Sequence, residues 1–275
     1  MQLLIDAGNT RIKWAVPGLT GTPVRGETET GKLPVWLHMN SVAHADMATL
    51  TEAWQGIPFT HVLVSNVAGD AIRAQLIALL AAVRADAKIS WFSSAARLAG
   101  IQNNYRNPAQ LGCDRLASMI GAHYLFPAQD LIVATCGTAT TVDAVTAQGD
   151  FVGGMILPGL KLMAESLARN TAQLPQVAES TSIAEVFADN TDQAIVSGCI
   201  SAQVGAILRA VTALEQRQQQ QQKHQQHQQH QQQLVNCILS GGAAPYLLAH
   251  LDISYQYVDN LVLTGLFVVA QSSPS

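Results

Sequence analysis

A short apolar run, a glycine turn and a second apolar run occur twice in this chain, at residues 3–16 and again at residues 131–145. In the first unit, residues 3–6 and 12–16 flank Gly8 and Asn9. In the second, residues 131–134 and 140–145 flank Cys136-Gly137-Thr138-Ala139. Apolar runs joined by turn formers read as antiparallel strand pairs, with Gly8 and Asn9 chosen because both tolerate left-handed backbone. Gly8 and Gly137 stand about half a chain apart, which predicts two related halves.

Strand and helix patterns alternate around these hairpins. Residues 61–67 form another apolar run, followed by a helical face through Ile72, Leu76, Leu79, Leu80 and Val83 and by a strand at 89–92. Helical spacing returns at 114–126 through Leu116, Met119, Ile120 and Tyr124. A helix is expected over 158–169 with Pro158 near its start and Asn170 at its end. Asn190 or Thr191 caps a longer helix through Ile195, Cys199, Val204 and Ile207, where Gly198 and Gly205 permit a neighbour's close approach. A strand at 234–239 breaks at Ser240-Gly241-Gly242. The pattern is α/β, divided into residues 1–112 and 113–275.

Residues 218–233 hold twelve Gln, three His and one Lys, a composition that cannot bury a core, so they read as a solvated helix extension or a disordered loop. His224, His227 and His230 in that tract read as low-complexity expansion rather than a metal site.

Charge and cysteine usage narrow the function classes. Lys and Arg total 15 against 19 Asp and Glu, a net charge of −4, so there is no basic surface for a nucleic-acid backbone. The first ten residues lack a basic region and meet Asp6 early, and residues 261–270 are half of a membrane span, so neither a secretory signal nor a membrane anchor is expected. Cys113, Cys136, Cys199 and Cys237 contain no C-x-x-C pair, which argues against a zinc site and a disulfide scaffold. A cytoplasmic location follows, and the low charge content, 12% of residues, leaves room for subunit-covered faces.

Three glycine turns follow apolar strands: Asp6-Ala7-Gly8-Asn9-Thr10, Gly137-Thr138-Ala139 and Gly241-Gly242. Backbone amides at such turns, with the Thr10 and Thr138 hydroxyls, make concave anion sites suited to a nucleoside triphosphate. Asp6 beside them suits a phosphate-bound magnesium, directly or through water. Asp114 before an apolar helical stretch reads as an N-cap and as a general base that orients a hydroxyl, neither excluding the other, with Arg115 available for an anionic group. Asp143 reads as a strand-end residue or a phosphate-site carboxylate. Neither a GxxxxGK[ST] loop nor a GxGxxG fingerprint is present.

These motifs come in an order that resembles one family. Asp6 to Thr10, Tyr105 with Asn107-Pro108, Leu111-Gly112-Cys113-Asp114-Arg115, Gly137 to Asp143, Gly153-Gly154 with Pro158-Gly159, Thr171-Ala172 with Leu174-Pro175, and Gly241-Gly242 together resemble the type III pantothenate kinases, which include proteins labelled Bvg accessory factor. The resemblance covers nearly the whole chain apart from the Gln/His tract. It implies two ribonuclease H-like halves of the acetate kinase, sugar kinase, heat-shock ATPase and actin superfamily, with ATP between them. It also implies ATP-dependent phosphorylation of pantothenate at the first step of coenzyme A synthesis, by a homodimer that needs magnesium and a monovalent cation, K⁺ or NH₄⁺.

Carried over by position, the resemblance gives the ATP phosphates to Asp6, Ala7, Gly8, Asn9, Thr10, Arg11, Ile12 and Lys13 with Thr138, and the adenosine side to Gly241 and Gly242. Pantothenate falls to Tyr105, Gly112, Cys113, Asp114 and Arg115, with Thr191 supplied across the dimer and Asp114 as the base. One departure stands out. The family commonly has Asp at the cation-associated position, where this chain has Thr135, a neutral ligand. Weak or absent K⁺ activation is therefore expected. A non-catalytic regulatory or accessory protein that keeps the kinase fold is the alternative.

Overall fold

The structure is a computed structural model that describes residues 1–18, 31–171, 174–175, 185–224 and 234–272, with backbone only at 222–224. Two compact units divide the chain: Met1–Ala128 with Asn260–Ser275, and Gln129–Asp259.

The first unit runs β1 (Gln2–Ala7), β2 (Arg11–Pro17), β3 (Trp36–Ala43), α1 (Leu50–Gln55), β4 (His61–Asn66), α2 (Asp70–Val83), β5 (Lys88–Phe92), the short pair β6 (Arg97–Leu98) and β7 (Ile101–Asn103), and α3 (Cys113–Leu125). Its main sheet has the order β3-β2-β1-β4-β5. β1 to β3 are antiparallel neighbours, whereas β4 lies parallel to β1 and β5 parallel to β4. One face of this sheet buries Leu3, Ile5, Ile12, Trp14, Val62 and Val64 against Leu50 and Trp54 of α1 and Ile72, Leu76 and Leu80 of α2. The sequence periodicity of α2 marks this same face.

The second unit runs β8 (Leu131–Cys136), β9 (Ala139–Val145), β10 (Asp150–Pro158), α4 (Leu160–Asn170), α5 (Thr191–His224), β11 (Asn236–Ser240), α6 (Pro245–Leu248) and β12 (Tyr255–Tyr257). Its strands follow the order β12-β11-β8-β9-β10. β8 to β10 are antiparallel neighbours, and β11 and β12 are added in parallel. The plan of the first sheet is thus repeated strand for strand. Ile132, Ala134, Cys136 and Val142 pack under Ile200, Val204, Ile207, Val211 and Leu214 of α5.

Several sequence expectations shift. The last helix, α7 (Leu261–Ser272), belongs to the first unit and packs on α3, so α3 and α7 both lie with residues 1–128 rather than with the C-terminal half. Two glycines explain this. A Cβ on Gly265 would collide with the Ala117 carbonyl, and one on Gly121 would stand 2.7 Å from the Leu261 carbonyl, so the helices meet backbone to backbone. Pro158 ends β10 instead of starting α4, whose N-cap is Gly159. Asn190 caps α5, its Oδ1 accepting from the Gln193 amide at 3.0 Å. Gly198 and Gly205 have nothing within 4 Å of a built Cβ, so among the described residues no element makes the expected close approach.

The Gln-rich tract is helical at its beginning. Gln218 is buried, and its Nε2 donates to Asp130 Oδ2 at 2.6 Å while the Ala147 amide donates to Asp130 Oδ1 at 2.6 Å. This residue therefore ties the end of α5 to the start of β8. His227 and His230 lie outside the described residues, with the rest of 225–233. Replacing Gln218 with Ala removes a buried hydrogen bond to a carboxylate and is expected to cost about 1.5–3 kcal/mol. Denaturant unfolding of Gln218→Ala beside Gln219→Ala checks this; equal midpoints would contradict it.

Candidate active site

The first unit gathers its polar side chains at the carboxyl end of β1. Asp6 lies opposite Lys13 on β2 and Ser65 on β4 in the strand register, so the three side chains share one sheet face. The start of α3 covers that face: Cys113 Sγ lies 3.3 Å from Ser65 Oγ and 3.7 Å from the Asn66 carbonyl. Asp114 follows directly, close enough for its charge to act on Asp6.

Asp114 is not the N-cap of α3. That position is Gly112, which makes no side-chain cap, and Asp114 sits in the first turn with Oδ1 accepting from the Arg115 amide at 2.8 Å. A Cβ on Gly112 would stand 2.6 Å from that same oxygen, so glycine keeps the carboxylate in place. Arg115 is buried, its Nη1 donates to the Tyr105 hydroxyl at 3.1 Å, and its guanidinium lies 5.7 Å from the Tyr105 ring centroid. A buried guanidinium held by a phenol suits a planar anionic group.

Burial dominates the ionisation of this cluster. It pushes Asp6 up to about 7, with Lys13 pulling down and Asp114 pushing up. Burial also raises Asp114, against the Arg115 amide and guanidinium, and raises the Cys113 thiol, which makes that sulfur a poor nucleophile. Two carboxylates short of compensating charge form a hard oxygen set that fits a divalent cation.

The β1–β2 turn differs from expectation in one respect. Gly8 donates its amide to the Arg11 carbonyl at 3.1 Å, yet neither Gly8 nor Asn9 has a positive φ. A Cβ on Gly8 would meet only the Arg11 carbonyl at 3.4 Å, an ordinary contact. The fold itself therefore does not require glycine there, and the turn leaves its backbone open to close approach.

In the second unit, Gly137 donates to the Ala139 carbonyl at 3.0 Å and Gly159 to the Thr138 carbonyl at 2.9 Å. Here the neighbouring glycines are structural. A Cβ on Gly159 would collide with the Gly137 carbonyl, and Gly241, at φ 94°, has no room beside Cys136. Three glycine corners therefore meet at the ends of β8, β10 and β11, with Gly242 facing open space. Thr138 is exposed at this meeting point. Thr191 lies apart from it, lining a groove of about 870 Å³ between α4 and α5 with Leu162, Leu167, Ile195 and Gly198. Ser65 was not singled out from sequence, because it carries no spacing signal of its own, whereas Gly159 appeared there only as part of the Pro158-Gly159 motif.

Two ribonuclease H-like units, each with a glycine-cornered hairpin, define the sugar kinase and actin-like ATPase fold. Solved structures of that fold include a Campylobacter jejuni protein described as a Baf family transcriptional activator (TM-score 0.56, 15% identity, 98% of this chain and 97% of that one). Another is a Sinorhizobium meliloti protein described as a 2-dehydro-3-deoxygalactonokinase (TM-score 0.53, 15% identity, 99% and 96% covered). The profile of type III pantothenate kinases matches residues 2–213. Type III pantothenate kinases from Janthinobacterium sp. (strain Marseille) and Herminiimonas arsenicoxydans are 52% and 51% identical, over 100% and 98% of this chain and 100% and 97% of theirs. The chain belongs to the type III pantothenate kinase family.

The raised Asp6 value sets a sign for stability. Its folded value, about 7, lies above its ordinary 3.8, so the fold favours the neutral acid, and the cost of ionisation grows from pH 4 to pH 7 and is complete above that. Asp6 keeps part of its surface open, which reduces that cost below full burial. Asp6→Asn without ligands is expected to melt about 2 °C or more above the parent at pH 8, the gap closing towards pH 4. A lower melting point at pH 8 would contradict this.

Proposed function

We propose that this protein transfers the γ-phosphoryl group of ATP to the primary hydroxyl of pantothenate, giving 4′-phosphopantothenate for coenzyme A synthesis. The observation that carries the reading is the placement of Asp6, Lys13, Asp114 and the Arg115–Tyr105 pair together in one unit of a chain from this family. The reported relatives are bacterial, and a cytoplasmic location accords with this metabolic role.

Each group has a distinct task. The Asn9 amide and the Lys13 ammonium receive phosphate oxygens, and the family resemblance assigns Thr138, Gly241 and Gly242 of the second unit to the nucleotide. Asp114 accepts a hydrogen bond from the pantothenate hydroxyl and aims its oxygen at the phosphorus. Phosphoryl transfer has a loose transition state, so alignment matters more than early proton removal, and the carboxylate takes the proton as the new O–P bond forms. Arg115, with Tyr105, pairs the pantothenate carboxylate. Gly112 and Cys113 border it through the backbone, since the Cys113 thiol is engaged with Ser65.

Asp6 would hold magnesium, directly or through water. When bound, the ion neutralises phosphate charge. A monovalent cation fits less well. Thr135 pairs in register with Thr141 and Ser240, a row of neutral hydroxyls where a carboxylate would favour a cation. No step is assigned to K⁺ or NH₄⁺.

Homodimerisation is supported by the α4–α5 face. No residue of α4 is buried, Leu162 and Leu167 are 41% and 38% exposed, and Gly198 is open. A second copy seated there would cover this apolar surface and bring Thr191 to its partner. Neither a nucleic-acid nor a membrane partner is part of this reading.

A coupled ADP-release assay tests the function. Pantothenate is expected to drive ADP release, and Asp114→Asn to reduce kcat by about 10² or more with the melting point retained. ADP release that ignores pantothenate overturns the reading; unchanged kcat removes Asp114 from the mechanism. Gly8→Ala should keep its melting point while KM for ATP rises about tenfold or more, because the added methyl stands where phosphate approaches. An unchanged KM would remove that turn from the nucleotide site. Replacing Na⁺ with K⁺ should alter the rate by no more than about twofold; a steep rise would restore the cation site.

A further inference from the structure

The phosphate turn proposed above is held from outside by a residue that no motif contains. His44, the first residue after β3, places Nε2 2.9 Å from the Gly8 carbonyl oxygen. A carbonyl only accepts, so Nε2 carries the hydrogen and donates it. His44 is half-buried, and Met47 and Leu50 behind it anchor its segment in the core of the first unit.

The consequence follows from peptide geometry. The Gly8 carbonyl and the Asn9 amide belong to one peptide plane, and in a trans peptide they point in opposite directions. No cis peptide bond is present among the described residues. Fixing the carbonyl on one side therefore fixes the Asn9 N–H on the other. Among the described residues that amide donates to no protein acceptor, whereas the Gly8 amide is already spent on Arg11. Without His44, this plane would be free to rotate between its flanking bonds, and the amide would lose its aim.

We infer that His44 is a positioning residue for the nucleotide, holding the Gly8–Asn9 peptide so that the Asn9 amide faces a phosphate oxygen. The inference rests on the nucleotide reading of this turn. It asks of His44 only a donor at the right reach. Glutamine supplies one, since its Nε2 stands about as far from Cβ as that of histidine. Methionine matches glutamine in length and bulk but donates nothing.

The experiment compares His44→Gln with His44→Met by steady-state kinetics and by calorimetric binding of ADP with magnesium. The methionine protein is expected to show KM for ATP and Kd for ADP raised about tenfold, the size of one misaligned hydrogen bond to a charged group, with KM for pantothenate and kcat within about twofold of the parent. The glutamine protein should recover most of that loss. Equal ATP parameters in the parent and methionine proteins overturn the inference. So does a matching loss in both variants, a uniform change in all kinetic constants, or a methionine protein that does not fold, each of which makes the contact structural. If the parent binds ADP but does not phosphorylate pantothenate, the proposed function fails and His44 is judged on Kd alone. A parent that binds no nucleotide ends both.

Discussion

The pairing of Asp6 with Lys13 across an antiparallel hairpin is the constraint from which the candidate site is built. Because cross-strand partners face the same side, this register fixes a carboxylate and an ammonium on one sheet face beside the β1–β2 turn. A slip of one residue would put the two side chains on opposite faces, one of them towards the aliphatic core formed with α1 and α2. Parallel addition of β4 then puts Ser65 in the same row, and Ser65 receives Cys113 at the start of α3. Asp114 and Arg115 reach the carboxyl end of β1 through this chain of neighbours. The site is a product of strand register as much as of any motif.

The same hairpin recurs in the second unit with its glycines used differently. Around Gly8, the backbone is ordinary and a methyl group would fit, so the glycine leaves room for something outside the chain. At Gly159 and Gly241 the occupants are neighbouring backbones of the same unit, and any side chain would force those strands apart. One turn leaves its glycine open and the others are closed by packing. This distinction separates two roles that look identical in the sequence.

Sequence patterns revealed what repeats locally. Both hairpins, α2, α3, α5 and the strand before Gly241 were legible because apolar spacing and turn residues agree in them. β3 escaped notice because its alternate residues Leu37 and Met39 are exposed on an edge strand, and β10 because its glycines interrupt the alternation. The assignment of α3 and α7 to one unit depends on Gly121 and Gly265, whose meaning appears only when the two helices are side by side. Gln218 was hidden inside a low-complexity tract, although its amide is the buried partner of Asp130. His44 was hidden for another reason: it acts on a carbonyl 36 residues away, and no spacing rule encodes that. The ordered set from Asp6 to Gly242, by contrast, was visible from the sequence.

If the acid beside this hairpin directs the alcohol of pantothenate onto the terminal phosphorus of ATP, the product is a phosphomonoester. Phosphorus-31 magnetic resonance on the protein mixed with ATP, magnesium and pantothenate reads the product itself. A new phosphomonoester signal is expected to grow in step with ADP and to be absent when pantothenate is withheld. Inorganic phosphate as the sole new signal, or no change in the spectrum, would contradict it.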